Sequence, residues 1–181
     1  MRRDAPGATV QSVFQVRIHG RGGQGVVTSA ELLAVAAFRD GRDAQAFPLF
    51  GSERTGAPVM AFCRIDDRPI RTREPIVDPD AIVVQDPTLL HALDLTTAHL
   101  VLINSSRGHP NAITIPATEI ARRHLGRPLP GAPLLGALAA ATGVVSLGAL
   151  EAAIRERFPE PVASGNVDAA REAYEAAAAH A

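Results

Sequence analysis

The 181-residue chain is 46% hydrophobic and carries 18 basic against 19 acidic side chains, for a formal charge of −1. One well-buried domain suits that length, and the near-cancelled charge leaves no uniform field to gather polyanions, which excludes general nucleic-acid binding. No apolar run approaches the roughly 20 residues that span a bilayer, and MRRDAPGATVQS lacks the apolar centre of a signal peptide, so a cytoplasmic chain with no membrane contact is expected.

Residues 1–12, rich in Arg, Gly and Thr, read as a flexible N-terminal tail, and 13–181 as a single domain. FQVRIHG has the β-branched and aromatic content of a strand. From Val26 to Asp40, apolar Val26, Ala30, Leu33 and Ala37 follow helical spacing, and Gly41 stands where a C-terminal cap belongs. DAQAFPLFG and PVMAFCRIDDRPIR look like strands joined by the polar segment GSERTGA. AIVVQD and LVLINSS are short apolar runs of the kind buried on both faces of a parallel sheet, with a helical piece, PTLLHAL, between them. NAITIPA adds a strand and Thr118 to Leu125 a helix. Beyond LGRPLPGAP, Pro133 suits a first helical position and Gly143 the matching stop. Ser146 can cap the next helix, whose Leu147, Leu150, Ile154 and Phe158 form one apolar stripe while Glu151 and Arg155 pair outside it. Asn166 is a candidate cap for a last alanine-rich helix, whose EAAAAHA end reads as compositional bias prone to fraying. Strands alternating with helices predict an α/β fold: a mostly parallel sheet sandwiched by helices, Rossmann-like, with C-terminal helices and PVMAFCRI as an antiparallel edge.

GRGGQG sets Gly20, Gly22 and Gly25 in a G-x-G-x-x-G pattern between a strand and a helix, where the absence of side chains lets backbone amides approach an anion at the helix start. The acidic residue expected about 20 positions on, at the end of the second strand, is missing; Asp40 and Asp43 both precede AQAFPLF. Arg21 and Gln24 add donors that a bare pyrophosphate turn does not need. Three readings stay open at this point: a dinucleotide, another anion such as a cofactor phosphate, or a tight turn pressed against a partner. In FGSERTGAPV, Glu53 and Arg54 project between Gly51 and Gly56, either solvated or toward a ligand or partner chain.

The single cysteine, Cys63, lies in VMAFCRI and reads as a small buried hydrophobe; one thiolate cannot hold an iron–sulfur cluster. His19 directly precedes the glycine loop, as a packed strand residue or else a general acid–base. His91, His99, His109, His124 and His180 lack metal-ligand spacing, so no metal site is expected. All 18 basic residues are arginines, which favours fixed, planar recognition of anions and charged partners.

RIHGRGGQGVVTSAELLA, AQAFPLFGSERTGAPVMAFCRID and PDAIVVQDPTLL together resemble, in order and spacing, the gamma subunit or fused gamma domain of the 2-oxoacid:ferredoxin oxidoreductases of pyruvate, 2-oxoglutarate, ketoisovalerate and phenylglyoxylate type. The likeness is strong over Val16 to Leu90, and LLGALAAATGVVSLGALEAAIRERF extends it. It implies one subunit of an enzyme that decarboxylates a 2-oxoacid oxidatively and forms an acyl-CoA, inactive alone and with no catalytic residue of its own. It also implies that thiamine diphosphate, Mg and 4Fe–4S clusters reside in partner alpha, beta and delta-type subunits, that this chain alone binds none of them, and that ferredoxin or an NAD-linked flavin subunit accepts the electrons. The gamma chain would complete the assembly and help bind coenzyme A. Carried over by position, Gly20, Gly22, Gly23, Gln24 and Gly25 form the first ligand-binding or inter-subunit motif, where Arg21 with the loop amides is expected to receive a phosphate or carboxylate. Phe50, Gly51, Glu53, Arg54, Gly56 and Pro58 form the second, and Asp86 and Pro87 the third. A free-standing nucleotide-binding dehydrogenase and a purely structural adaptor are the alternatives.

Overall fold

The structure, a computed structural model, describes residues 13–49 and 55–180. Among them are six strands, β1 (Phe14–Arg21), β2 (Asp43–Leu49), β3 (Pro58–Asp66), β4 (Ala81–Val84), β5 (Leu100–Asn104) and β6 (Ile113–Ile115). Five helices accompany them: α1 (Val26–Arg39), α2 (Ala117–Leu125), α3 (Gly131–Thr142), α4 (Leu147–Arg157) and α5 (Val162–Ala178). The expected tail at 1–12 lies outside the described residues.

The strands form one sheet in the order β2-β3-β1-β4-β5-β6, with β1, β4, β5 and β6 parallel and β3 antiparallel to both its neighbours. The fold is therefore α/β, with a mostly parallel sheet flanked by helices, as expected. The antiparallel strand is not an edge, however: β3 sits inside and β2 forms the border. The reason is visible in β3 itself, where Ala61, Phe62, Cys63, Arg64 and Ile65 are all buried. Both of its faces are covered, and both of its backbone edges are paired, with β1 and with β2.

Period-two alternation divides the sheet into unlike faces. Val16, Ile18, Ala61, Cys63, Ala81, Val83, Leu102 and Ile115 join the buried sides of all five helices in one core. The opposite face holds a small second cluster, Ile82, Val84, Val101 and Ile103, covered by 3-10 turns at Pro87–Ala92 and Leu95–Thr97. PTLLHAL is thus 3-10 rather than α.

Local chemistry sets most helix ends. The Gly41 amide donates to Phe38 O and the Arg42 amide to Ala37 O, both at 3.0 Å, with Gly41 at φ 77°, which closes α1 in a Schellman motif. Gly143 (φ 64°) ends α3, and Ser146 Oγ accepts from the Ala149 amide to start α4. Leu150 and Ile154 are fully buried there and Leu147 and Phe158 half-buried. Pro133 stands at the third position of α3 rather than the first, equally tolerated because first-turn amides have no intrahelical acceptor. Glu151 pairs not with Arg155 but with Arg171 of α5, at 2.5 and 2.9 Å, while Arg155 reaches Glu160 at 3.1 Å. Bidentate geometry across two helices outcompetes the intrahelical pair. Asn166 is no cap: it lies one turn inside α5, buried, and donates to Val162 O at 3.0 Å. In the EAAAAHA end Glu175, Ala178, Ala179 and His180 are exposed, while Ala163, Ala169, Ala170, Ala173 and Ala177 form the buried stripe of α5. Their small size lets α3 approach so closely that a Cβ on Gly136 would lie 2.1 Å from Ala170 O.

Candidate functional site

The glycine loop joins β1 to α1 at the carboxyl ends of the parallel strands, where open α/β sheets bind ligands. Its glycines answer to distinct constraints. A Cβ on Gly20 would meet Val26 Cγ2 at 2.6 Å and Gln24 Oε1 at 3.0 Å, whereas Gly23 and Gly25 have φ of 91° and 73° with open space around them. Gly22 is tied to the second loop: its amide donates to Ala57 O at 2.8 Å, and Gly56 N, from a residue at φ 84°, donates to Gly22 O at 3.2 Å. Gly56 thereby contacts the first motif. Phe50, Gly51, Glu53 and Arg54 lie outside the described residues.

The two polar side chains of the loop are engaged within the chain, Gln24 part-buried and Arg21 at the surface. Gln24 accepts from the Arg21 amide through Oε1 and donates to Asp86 Oδ2 through Nε2, both at 2.8 Å. The Arg21 guanidinium donates to Thr88 Oγ1 at 2.9 and 3.2 Å and to Gly56 O at 3.1 Å, and its Nε lies 3.4 Å from Asp86 Oδ2. Asp86 also accepts from the Thr88 amide at 3.0 Å and hydroxyl at 2.6 Å. Burial alone would raise the Asp86 carboxyl, but the hydrogen bonds from Thr88 and Gln24 and the charge on Arg21 hold it below the usual carboxylate range. Arg21, expected to receive an anion, is instead part of the clamp that shapes the loop and fastens it to the third motif.

What the loop offers outward is backbone. Gly25 is the N-cap residue of α1 in left-handed conformation, no side chain caps the helix, and its first turn contains no acidic residue. The first intrahelical bond runs from Ser29 N to Gly25 O at 2.9 Å, so the amides of Val26, Val27 and Thr28 have no intrahelical acceptor. They border a cleft of about 360 Å³ together with Arg21, Gly22, Gly23, Thr55 and Val59. The helix dipole favours negative charge there.

On the other side of the loop lies a cleft of about 480 Å³, lined by Gln85, Asp86, Asn104, Thr118 and Arg127 together with Pro87, Pro128, Leu129 and Pro130. Gln85 Nε2 donates to Ser29 Oγ at 2.7 Å, and Asn104 Nδ2 donates to Gln85 O and to Thr118 Oγ1, each at 2.8 Å. Gln85 is 1% exposed, and its Oε1 is a buried acceptor with no partner among the described residues. Sequence reasoning missed Ser29, Gln85, Asn104, Thr118 and Arg127. The available signal was that Gln85 and Asn104 are the polar residues closing two apolar strand runs. A third cleft of about 430 Å³ runs past Gly23 and Arg127 to apolar Leu32, Leu129, Phe158 and Val162.

The carboxylates considered for a ribose are engaged elsewhere. Asp40 accepts from the Ser146 amide at 2.6 Å and hydroxyl at 2.7 Å, and Asp43 from the Ile70 amide at 2.7 Å. His19 is 4% exposed on the sheet face away from the α-helices, and desolvation, reinforced by Arg17, lowers its pKa to about 4. It is a neutral packed strand residue. Cys63 is fully buried, which pushes its thiol up to about 12. Among the described residues no three His, Cys, Asp or Glu side chains gather as metal ligands.

The chain matches the family described as pyruvate ferredoxin/flavodoxin oxidoreductase over residues 15–176. It is 48% identical over 171 residues to the pyruvate synthase subunit PorC of Methanothermobacter thermautotrophicus, covering 90% of this chain and 95% of the relative. It is 44% identical over 178 residues to the common gamma subunit of the pyruvate/ketoisovalerate oxidoreductases of Pyrococcus furiosus, covering 90% and 96%. The crystal structure of a pyruvate oxidoreductase subunit from Thermotoga maritima superposes with a TM-score of 0.78 at 35% identity, over 91% of this chain and 97% of that one.

Proposed function

The chain belongs to the pyruvate ferredoxin/flavodoxin oxidoreductase family, and from that membership we propose that it is the gamma-type subunit of a multi-subunit 2-oxoacid:acceptor oxidoreductase, inactive alone and acting in the cytoplasm. No helix among the described residues is long and apolar enough to cross a membrane. In this reading partner alpha, beta and delta-type chains hold thiamine diphosphate with Mg and the 4Fe–4S clusters. The 2-oxoacid loses carbon dioxide, two electrons leave for ferredoxin or an NAD-linked flavin subunit, and the acyl group passes to the thiol of coenzyme A. A lone buried thiol with a raised pKa is no cluster ligand, which supports assigning the clusters to other chains.

This chain's contribution is the anion-receiving face of the glycine loop, with Gly20, Arg21, Gly22, Gly23, Gln24 and Gly25 shaping it, and Gly51, Glu53, Arg54 and Gly56 complete the proposed ligand-binding or inter-subunit set. One observation carries that assignment: α1 starts without a capping side chain or acidic residue, and its first-turn residues Val26, Val27 and Thr28 line a cleft. A phosphate of coenzyme A docked there would supply the missing acceptors. The Arg21–Gln24–Asp86 clamp keeps the loop in the receiving shape before the ligand arrives.

Thr28→Asp in the assembled enzyme tests this. A carboxylate in the first turn stabilises α1 by about 0.3–1 kcal/mol but repels an incoming phosphate. The expected result is a Michaelis constant for coenzyme A raised about tenfold, a loss of about 1.4 kcal/mol, with the melting temperature unchanged or higher. An unchanged Michaelis constant refutes coenzyme A docking on this loop. Recovery of the chain from its host without thiamine- and cluster-bearing partners refutes the subunit reading itself.

A further inference from the structure

β2 is a border of the sheet, and the pairing of the strands behind it fixes which of its backbone groups point outward. The Asp80 amide donates to Gln15 O at 2.8 Å and the Gln85 amide to His19 O at 2.7 Å, so the odd-numbered residues of β1 bond toward β4. Its even-numbered residues therefore bond β3, opposite Val59, Ala61, Cys63 and Ile65. That leaves Met60, Phe62, Arg64 and Asp66 to bond β2 through Leu49, Phe47, Gln45 and Asp43. Ala44, Ala46 and Pro48 consequently turn their backbone groups away from the sheet. Pro48 agrees with that parity, because a proline is tolerated in a sheet where its missing N–H would face outward.

Among the described residues, the outward N–H groups of Ala44 and Ala46 and the outward carbonyls of Ala44, Ala46 and Pro48 have no hydrogen-bond partner. Only the side chains of β2 are used there, with Asp43 accepting from the Ile70 amide and Gln45 donating to Thr72 O. The helix layer is open at the same border. Arg39 of α1 reaches Glu156 of α4 at 2.7 Å, and Ser29 faces α3, where a Cβ on Gly131 would lie 2.5 Å from its hydroxyl. The opposite flank of α1, with Val27, Glu31 and Phe38 at helical spacing, is left on the side of β2. Phe38 is 53% exposed on that flank, and Leu49, at the end of β2, is 48% exposed.

We propose that this border is the interface between two copies of the chain, with their β2 strands paired antiparallel about a twofold axis at Ala46. That register spans the whole strand and gives both donors of each copy an acceptor. The two Ala46 residues exchange N–H and C=O, and each Ala44 N–H meets the Pro48 carbonyl of its twin, so the donor that proline lacks leaves just the Ala44 carbonyl unpaired. Gln45 then stands opposite Phe47 and Asp43 opposite Leu49, with no like charges facing each other. An extended segment of a different protein would satisfy the same amides but leave Phe38 overhanging. A second copy brings a helix flank with its strand and covers both layers. The pairing does not depend on what the glycine loop binds.

Cys63 is the single cysteine and is buried, so Ala46→Cys places one new thiol at the axis. Paired Cα atoms there would be about 5.5 Å apart, within the reach of a disulfide. Oxidised in the complete complex, or in the full-length chain if it purifies by itself, this variant is expected to give a covalent dimer of the chain on a denaturing gel without reductant. In sedimentation of the full-length chain, Leu49→Asp raises the dimer dissociation constant about tenfold, because repulsion from Asp43 acts twice across the axis, whereas Leu49→Arg leaves it equal or lower. Ala46→Pro removes an outward donor from an edge that already holds Pro48 and gives a monomer. Absence of the covalent dimer overturns the proposal. So does a dimer indifferent to both Leu49→Asp and Ala46→Pro, which would put the contact on another face. Slow hydrogen exchange at the Ala44 and Ala46 amides in a complex that yields no covalent dimer overturns it in favour of a strand supplied by a different subunit.

Discussion

Gln24→Glu is nearly isosteric and isolates the clamp that shapes the glycine loop. One carboxylate oxygen can still accept from the Arg21 amide, but the other replaces an amide nitrogen 2.8 Å from Asp86 Oδ2. A charge-assisted hydrogen bond worth about 1.5–3 kcal/mol becomes a like-charge contact. At an effective dielectric of about 20 that contact costs up to about 6 kcal/mol if both groups ionise, so the pair holds a shared proton in the folded state instead. Arg21, 3.4 Å from Asp86, offsets part of the repulsion. A net loss of about 2 kcal/mol at pH 7 follows, which for a chain of this size lowers the melting temperature by about 4–8 °C. The sign of the pH dependence separates this cause from others. In the unaltered chain the Asp86 carboxyl is depressed, so its contribution is present above about pH 4 and fades only below it. In Gln24→Glu the folded pair binds a proton that the unfolded chain releases near pH 4.3, so the deficit is largest at pH 7 and shrinks as the pH falls toward 5. Thermal unfolding of both chains from pH 5 to 8 measures the difference. A gap that stays constant with pH, or no gap at all, refutes the Gln24–Asp86 bond as the holder of the loop.

Gly136→Ala brings a Cβ to 2.1 Å from Ala170 O and 2.8 Å from its carbonyl carbon, both backbone atoms of a packed helix. The overpacking cost of about 3 kcal/mol outweighs the roughly 1 kcal/mol gained in helix propensity, so thermal unfolding is expected about 4–8 °C lower, and an equal or higher melting temperature would show that α3 and α5 pack less closely. His19, with its pKa lowered to about 4, stays neutral from pH 8 down to 5; because the unfolded chain takes up that proton near pH 6.5, stability declines as pH falls from 6.5 toward 4. An imidazole titration by NMR with a midpoint near 6.5 would contradict burial of that face.

The elements most legible in the sequence were those that a few neighbouring residues decide. The left-handed glycines at 41 and 143 and the hydroxyl of Ser146 act within one turn of their own positions, and those ends were placed correctly. Errors arose where a distant partner competes. Glu151 has Arg155 one turn away, yet Arg171, brought alongside by α5, offers a bidentate bond. Asn166 looked like a cap because an alanine run follows it, but Pro161 already starts the helix and Ala163 begins the buried stripe. The interior place of β3 required weighing both of its faces, since Arg64 looks like a surface residue until Gln15, Gln45 and Glu74 are seen around it. Residues 68–79 have no periodicity to read, because side chains of other strands fix their conformation.

The glycine loop shows the same division inside one motif. G-x-G-x-x-G marks a strand-to-helix turn, and here the turn itself accounts for the glycines: Gly20 clears Val26 and Gln24, while Gly25 and the interposed Gly23 adopt positive φ. The pattern therefore cannot tell a dinucleotide loop from another anion-receiving loop. What separates them is the use of the remaining donors. Arg21 and Gln24 look available in sequence, but their partners Asp86 and Thr88 arrive from more than 60 positions on and engage both side chains within the chain. The carboxylates that would mark a ribose site bind Ser146 and Ile70 instead. The anion docking proposed for this loop rests on the row of amides at the start of α1, a property of the backbone that no single side-chain deletion removes. Only a negative charge placed in that first turn abolishes it while leaving the fold intact, which is why a carboxylate at Thr28 discriminates where alanine scanning of the loop's side chains would not.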